Sequence, residues 1–469
     1  MTRRRRDGDD DDYKYMQLID ASSSINQRVN LIGIVIETTL PKSTKGTDLF
    51  CSVKIVDETQ PGPLSVLFFA ETVEKLPRVA SNGDIMMLSR VTISTRGSEV
   101  YAMYNKKFSS FALYEGRDFG EREFAHYQSS RNFSFREQDK RLITGMRKWL
   151  MRTKIEGLND FNVLREIKKG ERVNLLCKII HIYKVKKDKW MFFLWDGTDA
   201  PPACIEAKLE DEMENPLPLH LEPSPLSRDI LCTFPTVGTV MRMIIDQSYK
   251  ISINSIRTNI WVKFVNIKCE VVAGLWQGVL MPFSSLCILS DDDDRVLDCQ
   301  RTYNERVPSK WGRMPFTSFP WPSHMTETDH PDVPFVTLMN VLTHAEVTCK
   351  YRCVVRVVAI FPWRADDFHS PCGIYRIRLT LEDPTARIHA FLYAEDGIKF
   401  FGNDLSVDIL TRKRNLLLGI GEGDECEHTL ENVSRNPPWV ECCLKSYYLD
   451  RNDGWGSRNY RIFGTAFVG

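Results

Sequence analysis

Short apolar runs separated by polar turns fill most of this chain, and residues 44–69 give the clearest example. Phe50–Val56 alternates, so that Val53 and Lys54 fall on opposite sides of an extended strand. A turn rich in polar residues and proline follows, and Leu64–Phe69 resumes the apolar pattern. The stretch therefore predicts a β-hairpin.

The same order of strand, turn and strand recurs twice. An Asp-x-Thr sequence ends the second strand of each copy, at Asp57, Asp196 and Asp383. These short polar side chains suit a turn because they can bond to local backbone amides. In the second copy, the predicted strands are Val173–Lys184, Trp190–Trp195, Cys204–Ala207, Thr239–Asp246 and Ile260–Val265.

Three copies in the same order predict an all-β protein with connecting helices, built as three OB-fold barrels in tandem. An OB-fold binds oligonucleotides or oligosaccharides on the face of its second and third strands. The hairpin at 44–69 then forms the floor of a binding groove. Gly33, inside the preceding strand, is expected to mark a bulge or tight bend.

The pattern divides the chain into six parts. Arg136–Lys154 reads as a connecting helix, while Asp291–Asp294 and the six prolines from Pro308 to Pro334 indicate a linker. The predicted parts are a disordered charged tail (1–13), a first barrel (14–127), a helical connector (128–156), a second barrel (157–290), an acidic and proline-rich linker (291–334) and a third barrel (335–469).

Composition limits the class of protein. With 43% hydrophobic and 26% charged residues the chain reads as globular, and no apolar run of about twenty residues predicts a membrane span. Thirteen cysteines without a regular framework indicate reduced thiols in the cytosol or nucleus. The net charge of zero argues against a uniformly basic coat but leaves room for one local basic groove.

Single-stranded nucleic acid is held by aromatic faces that stack bases and by cations that follow the backbone. In the first barrel, Phe68 and Phe69 alternate, so one should face the core and the other the groove, although both in the core or rim is the competing interpretation. The cations predicted near this groove are Lys42, Lys45, Arg96, Lys106 and Lys107.

The second barrel offers a basic loop with an aromatic residue at each end. A solvated surface is the alternative explanation, but the interleaving favours nucleic-acid contact. The residues are Tyr183, Lys184, Lys186, Lys187, Lys189 and Trp190.

Catalytic chemistry finds little support in the sequence. No phosphate-binding glycine loop, nucleophile motif or zinc-protease motif is present, so neither an enzyme activity nor a cofactor is predicted. Solvation explains Asp291–Asp294 better than a metal site does. Zinc stays open as the less favoured alternative for Cys349, Cys353, His369 and Cys372.

Short motifs in a specific order carry a resemblance that spans nearly the whole chain. They are Lys45-Gly46-Thr47-Asp48, Cys51-Ser52-Val53, Ile55-Val56-Asp57, Leu76-Pro77, Asn82-Gly83-Asp84-Ile85, Glu115-Gly116, Leu194-Trp195-Asp196-Gly197-Thr198, Leu381-Glu382-Asp383, Phe400-Phe401, Pro438-Trp439-Val440-Glu441-Cys442 and Lys445-Ser446-Tyr447. In these residues the chain resembles the protection of telomeres protein family.

The resemblance implies a nuclear protein at chromosome telomeres. Members bind the G-rich single-stranded telomeric overhang through their first two OB-folds, protect chromosome ends and regulate telomerase access. The third OB-fold is expected to contact telomerase or telomere-capping proteins. By position, Thr47 and Asp48 match DNA-contacting residues and Phe69 matches a stacking phenylalanine.

Two departures from the family pattern affect these expectations. Animal members place an aromatic residue and a lysine where this chain has Glu37 and Thr39, so DNA affinity or register is expected to differ. The third barrel lacks the long insertion and paired Cys-x-x-Cys ligands of animal members and resembles the shorter plant-type form. The competing hypotheses are a telomerase-associated interaction protein with weak or lost DNA binding, and a metal-dependent nuclease.

Overall fold

The computed structural model describes residues 14–39, 41–59, 62–80, 82–97, 99–116, 124–153, 155, 161–246, 256–318, 324–403, 405–421 and 434–468. Two compact units divide the chain after Asp160, and the first holds one barrel while the second holds two. The charged tail predicted at 1–13 lies outside the described residues.

The first unit is a five-strand barrel with short flanking strands and one helix. It closes in the order β2-β4-β5-β7-β6, because β6 pairs back onto β2. The predicted connector helix lies against this barrel, where its Ile143 and Leu150 join Ile34 and Tyr114 in a buried cluster. The elements are β1 (Tyr15–Met16), β2 (Arg28–Thr38), β3 (Lys42–Ser43), β4 (Leu49–Val56), β5 (Leu64–Ala70), β6 (Ile85–Arg96), β7 (Glu99–Met103), β8 (Ser110–Tyr114), β9 (Gln128–Ser129) and α1 (Asp139–Arg152).

The second unit contains two further closed barrels, β10-β11-β12-β14-β13 and β16-β17-β18-β20-β19. The elements up to the second barrel's flanking helix are β10 (Arg172–Lys186), β11 (Lys189–Trp195), α2 (Arg228–Leu231), β12 (Met241–Asp246), β13 (Trp261–Val272), β14 (Leu275–Leu289) and α3 (Asp294–Arg306). Those that follow are β15 (Thr326–Thr328), α4 (Leu338–Thr343), β16 (Lys350–Phe361), β17 (Arg376–Glu382), β18 (Arg387–Tyr393), α5 (Glu395–Phe401), α6 (Val407–Leu418), β19 (Trp439–Tyr448), β20 (Arg458–Ile462) and β21 (Thr465–Phe467).

All three barrels share one connectivity. The third and fifth strands run parallel, and the other neighbouring strands run antiparallel. The first strand pairs with both the fourth and the second, and its pairing with the second is interrupted by a bulge in each barrel. This is the arrangement of an OB-fold, so the predicted fold class is confirmed.

The aspartate of each Asp-x-Thr sequence also binds a backbone N–H far away in the chain, which the sequence did not predict. Asp57 is buried, and its Oδ1 accepts the N–H and hydroxyl of Thr59 at 2.9 and 2.7 Å. Its Oδ2 accepts the backbone N–H of Leu18 at 2.8 Å, 39 residues earlier. The same pattern joins Asp196 to Thr198 and Leu164, and Asp383 to Thr385 and Leu338.

Each of these aspartates fixes the start of a short helix that leads into the first strand. The helices are Leu18–Ser23, Leu164–Glu166 and α4, and we call them the plug helices. The leucine at the start of each is fully buried in the core of its own barrel. Burial raises the pKa of Asp383 to about 6, which still leaves a carboxylate that accepts these bonds at neutral pH.

Gly33 does not lie at a bulge, contrary to the sequence prediction. The bulges of β2 fall on either side of it, between Val29 and Leu31 and between Val35 and Glu37. A Cβ at Gly33 would lie 3.0 Å from the carbonyl oxygen of Val56, which is closer than side chains normally approach a backbone. The glycine therefore allows β2 to approach β4.

The predicted third strand of the second barrel is wrong. Within Cys204–Ala207, only Ile205 forms a bridge, and its partner Arg435 belongs to the third barrel. The third strand is β12, because the chain leaves the barrel after two prolines and returns at Met241. The sequence analysis also closed the second barrel before β14. The glycine, proline and serines of that strand obscure its alternation.

The region predicted as an acidic, proline-rich linker contains a helix that packs on the second barrel. Asp293 caps α3 by accepting the N–H of Arg295 at 3.0 Å, so the acidic run begins a helix. At its other end, Arg306 is buried and donates to Asp199 at 2.7 Å and to the carbonyl oxygen of Gly197 at 3.0 Å. These bonds anchor α3 beside the Asp-x-Thr turn.

We expect Asp383→Ala to destabilise the third barrel by about 1–3 kcal/mol, because it leaves buried backbone donors without an acceptor. Hydrogen exchange measured by mass spectrometry should become faster in peptides that cover α4. The exposed Asp367, changed to alanine, is the matched control and should leave α4 protected. Unchanged exchange in Asp383→Ala would contradict the capping role.

Candidate nucleic-acid interface

The outer surface of β4 and β5 carries the predicted groove. Alternation sends Val53, Val66 and Phe68 into the barrel core, where Phe68 is 1% exposed. Phe69 points the other way and is half-buried. Phe69 is therefore not a core residue, and its role as a groove or a rim residue stays a prediction.

Phe69 belongs to a small apolar surface that we call the aromatic face, formed by Phe50, Leu67, Phe69 and Met103. Phe50 and Phe69 are cross-strand neighbours whose ring centroids lie 5.1 Å apart at 42°. Leu67 lies two residues before Phe69 on β5 and pairs with Met103, which is 37% exposed. Partly exposed rings on a rigid strand pair can stack nucleic-acid bases.

Beside the aromatic face, Glu37 occupies the position where the resemblance led us to expect an aromatic residue. Its Oε2 accepts from the Nζ of Lys54 at 2.8 Å, and both side chains remain more than a third exposed. Thr39 is held by Ser52, whose backbone N–H donates to the Thr39 hydroxyl at 2.9 Å. Lys54, a cation on the groove surface, is thus already paired with Glu37 of the same protein.

Three segments of the first barrel meet in an ionic network around Lys106. Its Nζ lies 3.1 Å from Asp48 and 2.8 Å from Glu71, and Glu71 also binds Lys75 at 2.8 Å. The hydrogen bond from Lys106, followed by that from Lys75, lowers the pKa of Glu71 to about 2. Two of the predicted contact residues, Asp48 and Lys106, therefore bind each other.

The remaining predicted residues of the first barrel lie at its surface. Lys42 is on β3 opposite Phe50, which places it next to the aromatic face. Lys45 and Thr47 are exposed in the turn that joins β3 to β4. Arg96 lies at the exposed end of β6, opposite Glu99, and Lys107 is exposed in the turn after β7.

The predicted residues of the second barrel have different surroundings. Lys184, Lys186 and Lys187 are exposed around the β10–β11 hairpin. Trp190 packs against the core of its barrel, on the same side of β11 as Phe192, so its stacking role remains a prediction. The hydroxyl of Tyr183 lies 2.9 Å from that of Ser224.

The four candidate zinc ligands differ in position. Cys353 lies in the core of the third barrel, where burial raises the pKa of its thiol, while Cys372 is exposed. Across the described ranges, no three His, Cys, Asp or Glu side chains are grouped so that they could hold a metal ion. Of the helices described, none has the length and apolar character needed to cross a membrane.

Sequence reasoning missed several residues of this surface, notably Phe50, Lys54, Glu71 and Met103. The alternation that places Val53 in the core already puts Lys54 on the outer surface. Phe50 follows from the same count along β4. Placing Glu71 and Met103 on this surface requires the register of β5 with β7, and no local sequence pattern gives that register.

Comparison with known proteins gives this surface a context. The family model for telomeric single-stranded DNA-binding proteins of the POT1/CDC13 type matches residues 9–156, and the POT1A-like OB-fold domain matches residues 321–453. Protection of telomeres protein 1b of Arabidopsis thaliana is 41% identical over 97% of this chain and 98% of its own, and protein 1a is 40% identical with the same coverage.

This chain belongs to the protection of telomeres family. The near full-length match to plant relatives agrees with the predicted plant-type form. The family is described by DNA binding at telomeres and not by a reaction. A crystal structure of fission yeast Pot1 with single-stranded DNA is similar at 15% identity over 62% of this chain and 93% of the yeast chain, with a TM-score of 0.25.

We expect Lys106→Met to raise the pKa of Glu71 from about 2 towards the ~4.3 of an unperturbed glutamate. Because the folded-state pKa is lowered, the network stabilises the fold above the unfolded pKa and loses this effect as the pH falls through the folded value. Carboxyl-carbon NMR titration of labelled glutamate measures the shift. Lys75→Met should move it less, because Lys106 is the larger cause; the reverse order would contradict this assignment.

Proposed function

We propose that this protein binds G-rich single-stranded telomeric DNA, protects chromosome ends and regulates telomerase access. It acts in the nucleus at chromosome telomeres and carries out no reaction of its own. Telomerase or telomere-capping proteins bind through the third barrel. The Phe50–Phe69 pair on the outer surface of the second and third strands of the first barrel is the observation that carries this proposal.

The surroundings of this pair support a bound single strand. OB-folds use the face of these two strands for oligonucleotides, and their bases stack on aromatic side chains. Lys42 lies opposite Phe50, and Lys45 and Thr47 follow on the exposed turn. Cations beside a stacking surface can contact phosphates while the bases pack on the rings.

One observation favours the second candidate, an interaction protein of the telomerase complex with weak or lost DNA binding. Two cations of this surface are partly neutralised, since Lys54 binds Glu37 and Lys106 binds Asp48 and Glu71. When a phosphate approaches, either the ion pair opens and releases its lysine, or that lysine does not contact the phosphate. A mobility-shift panel of telomeric, scrambled and RNA oligonucleotides separates the two candidates, because only the first predicts selective binding of the telomeric strand.

Replacing Phe69 with alanine should weaken binding of a telomeric single strand by about 1–3 kcal/mol, since one stacking surface is lost. Fluorescence titration of a labelled oligonucleotide measures the change. Phe69→Tyr keeps the ring and should bind nearly as well as the wild type. Phe391→Ala, at a half-buried position of the third strand in the third barrel, is the control. Equal affinity of Phe69→Ala and wild type would rule out this stacking role.

Glu37→Gln should strengthen binding at low salt, because Lys54 becomes available to a phosphate. One added phosphate contact steepens the dependence of log affinity on log salt by about 0.7 for a single strand. Titrations at several salt concentrations measure this slope. Glu58→Gln removes the same charge from an exposed turn of this barrel and should leave the slope unchanged. An unaltered slope in Glu37→Gln would show that Lys54 does not contact the strand.

A further inference from the structure

The outer surface of β17 and β18 in the third barrel corresponds to the aromatic face of the first barrel. Counted back from the aspartate of the Asp-x-Thr turn, Arg376 has the position of Phe50. Their partners on the next strand, Tyr393 and Phe69, therefore also correspond. Tyr393 is 47% exposed, so this surface, like the aromatic face, presents an aromatic ring.

Aromatic rings and guanidinium groups alternate across this surface. Because neighbouring strands lie about 4.8 Å apart, side chains paired across four strands form a continuous row. The guanidinium of Arg378 lies 5.1 Å from the ring centroid of Phe361, and that of Arg461 lies 5.7 Å from the ring centroid of Tyr393. The row runs across β16, β17, β18 and β20 and consists of Phe361, Arg378, Phe391 and Arg461. We call this row, together with Arg376 and Tyr393, the arginine face.

Two of the three arginines of the arginine face already hold carboxylates. Glu212, from the connection between β11 and β12, binds Arg378 at 2.9 Å, and Asp396, at the start of α5, binds Arg461. Arg376 is exposed and has no ion-pair partner among the residues that the structure describes. A guanidinium fork matches the two oxygens of a carboxylate. The surface therefore pairs with carboxylates and keeps one arginine open to a further one.

The other end of these strands is buried beneath the connection between β11 and β12. Arg356, on the outer side of β16, is fully buried and donates to the carbonyl oxygen of Ala203 at 2.9 Å. Arg387, on β18, donates to the carbonyl oxygen of Pro218 at 2.8 Å. The part that carries Arg376 lies at the opposite end of β17 and is exposed, so it can be reached by a partner.

The arrangement of the arginine face favours a protein partner over a nucleic-acid strand. Successive bases stack on successive rings, but Arg376 stands where the first barrel has its second ring. The other two rings neighbour guanidinium groups, since Phe361 lies under Arg378 and Phe391 lies between two arginines of the row. Energetic hot spots of protein–protein interfaces are enriched in tyrosine and arginine, the types found at the exposed end.

We infer that the arginine face binds an acidic segment of a partner protein. A carboxylate of that segment pairs with Arg376, and an apolar or aromatic side chain next to it packs on the ring of Tyr393. The inference rests on the proposed function, in which telomerase or telomere-capping proteins bind through the third barrel. Complementary charge of this kind sets partner choice and speeds association.

Fluorescence anisotropy of the full chain with a labelled synthetic peptide tests this inference. The peptide contains aspartates and glutamates on both sides of one phenylalanine, and a second peptide carries asparagines and glutamines in their place. We expect the amide peptide to bind at least about tenfold more weakly, because its side chains cannot form charged pairs with the arginines. Binding of the acidic peptide should also weaken as salt rises. Equal affinity for the two peptides, or no binding of the acidic one, would overturn the inference.

Substitutions on the arginine face locate the bound peptide. Tyr393→Ala should weaken its binding about 5- to 30-fold, as expected for a residue at the centre of an interface. Arg376→Gln should weaken it about 2- to 5-fold at low salt, the range of an exposed ion pair. Arg172→Gln removes the same charge from an exposed position of the second barrel and should leave the affinity unchanged. Wild-type affinity in both Tyr393→Ala and Arg376→Gln would overturn the inference.

A charge reversal separates recognition from damage to the fold. Arg376→Glu should bind the acidic peptide poorly, because the sign of the contact is reversed. Peptides in which one acidic residue at a time is replaced by lysine are then compared. At one position, the lysine peptide should bind Arg376→Glu more tightly than it binds the wild type. The absence of such a position in a variant with a wild-type circular dichroism spectrum would overturn the inference.

A telomeric oligonucleotide gives the comparison with nucleic acid. If it displaces the acidic peptide, and Tyr393→Ala weakens its binding as much as Phe69→Ala does, the arginine face binds the strand and the inference is overturned. A chain that binds the oligonucleotide but not the acidic peptide overturns the inference and leaves telomeric DNA binding intact. A chain that binds the peptide but not the oligonucleotide supports the inference, while the DNA binding of the proposed function fails.

Discussion

In each barrel, a buried aspartate carboxylate joins the end of the second strand to the plug helix that precedes the first strand. The aspartate at the end of the second strand accepts the first backbone N–H of the plug helix, and the threonine two residues later completes the turn. This bond places a leucine in the core before the first strand begins. Because that strand must pair with both the second and the fourth, its starting point decides whether the barrel can close.

The three barrels share this construction and differ in what lies on their outer surfaces. In the first barrel, α1 packs on β2, β6 and β8, while the outer side of β4 and β5 keeps partly exposed rings. In the second barrel, the connection between β11 and β12 buries Phe193 on the equivalent surface, and part of the same connection contacts β16 and β17 of the third barrel. Exposure of these surfaces in the second unit therefore depends in part on this one connection.

Local patterns were enough to predict the barrels, because alternation and the Asp-x-Thr turns lie within a few residues of each other. Alternation also predicted that one of Phe68 and Phe69 faces outward, and in the structure this residue is Phe69. They could not predict the partners of charged residues, such as Lys54 with Glu37 or Arg378 with Glu212, since these depend on strand register and on segments far apart in sequence. The packing of the connection between β11 and β12 was missed because its prolines and polar residues resemble an ordinary loop.

The buried arginines of the third barrel also decide where this protein can be divided. A proline-rich stretch at 291–334 suggests a boundary, yet the contacts that join the second and third barrels come from residues 203–218, well before it. A chain cut at that stretch would separate Arg356 and Arg387 from the carbonyl groups that satisfy them. We therefore expect the second compact unit, which begins at Phe161, to fold as one piece although it contains two barrels.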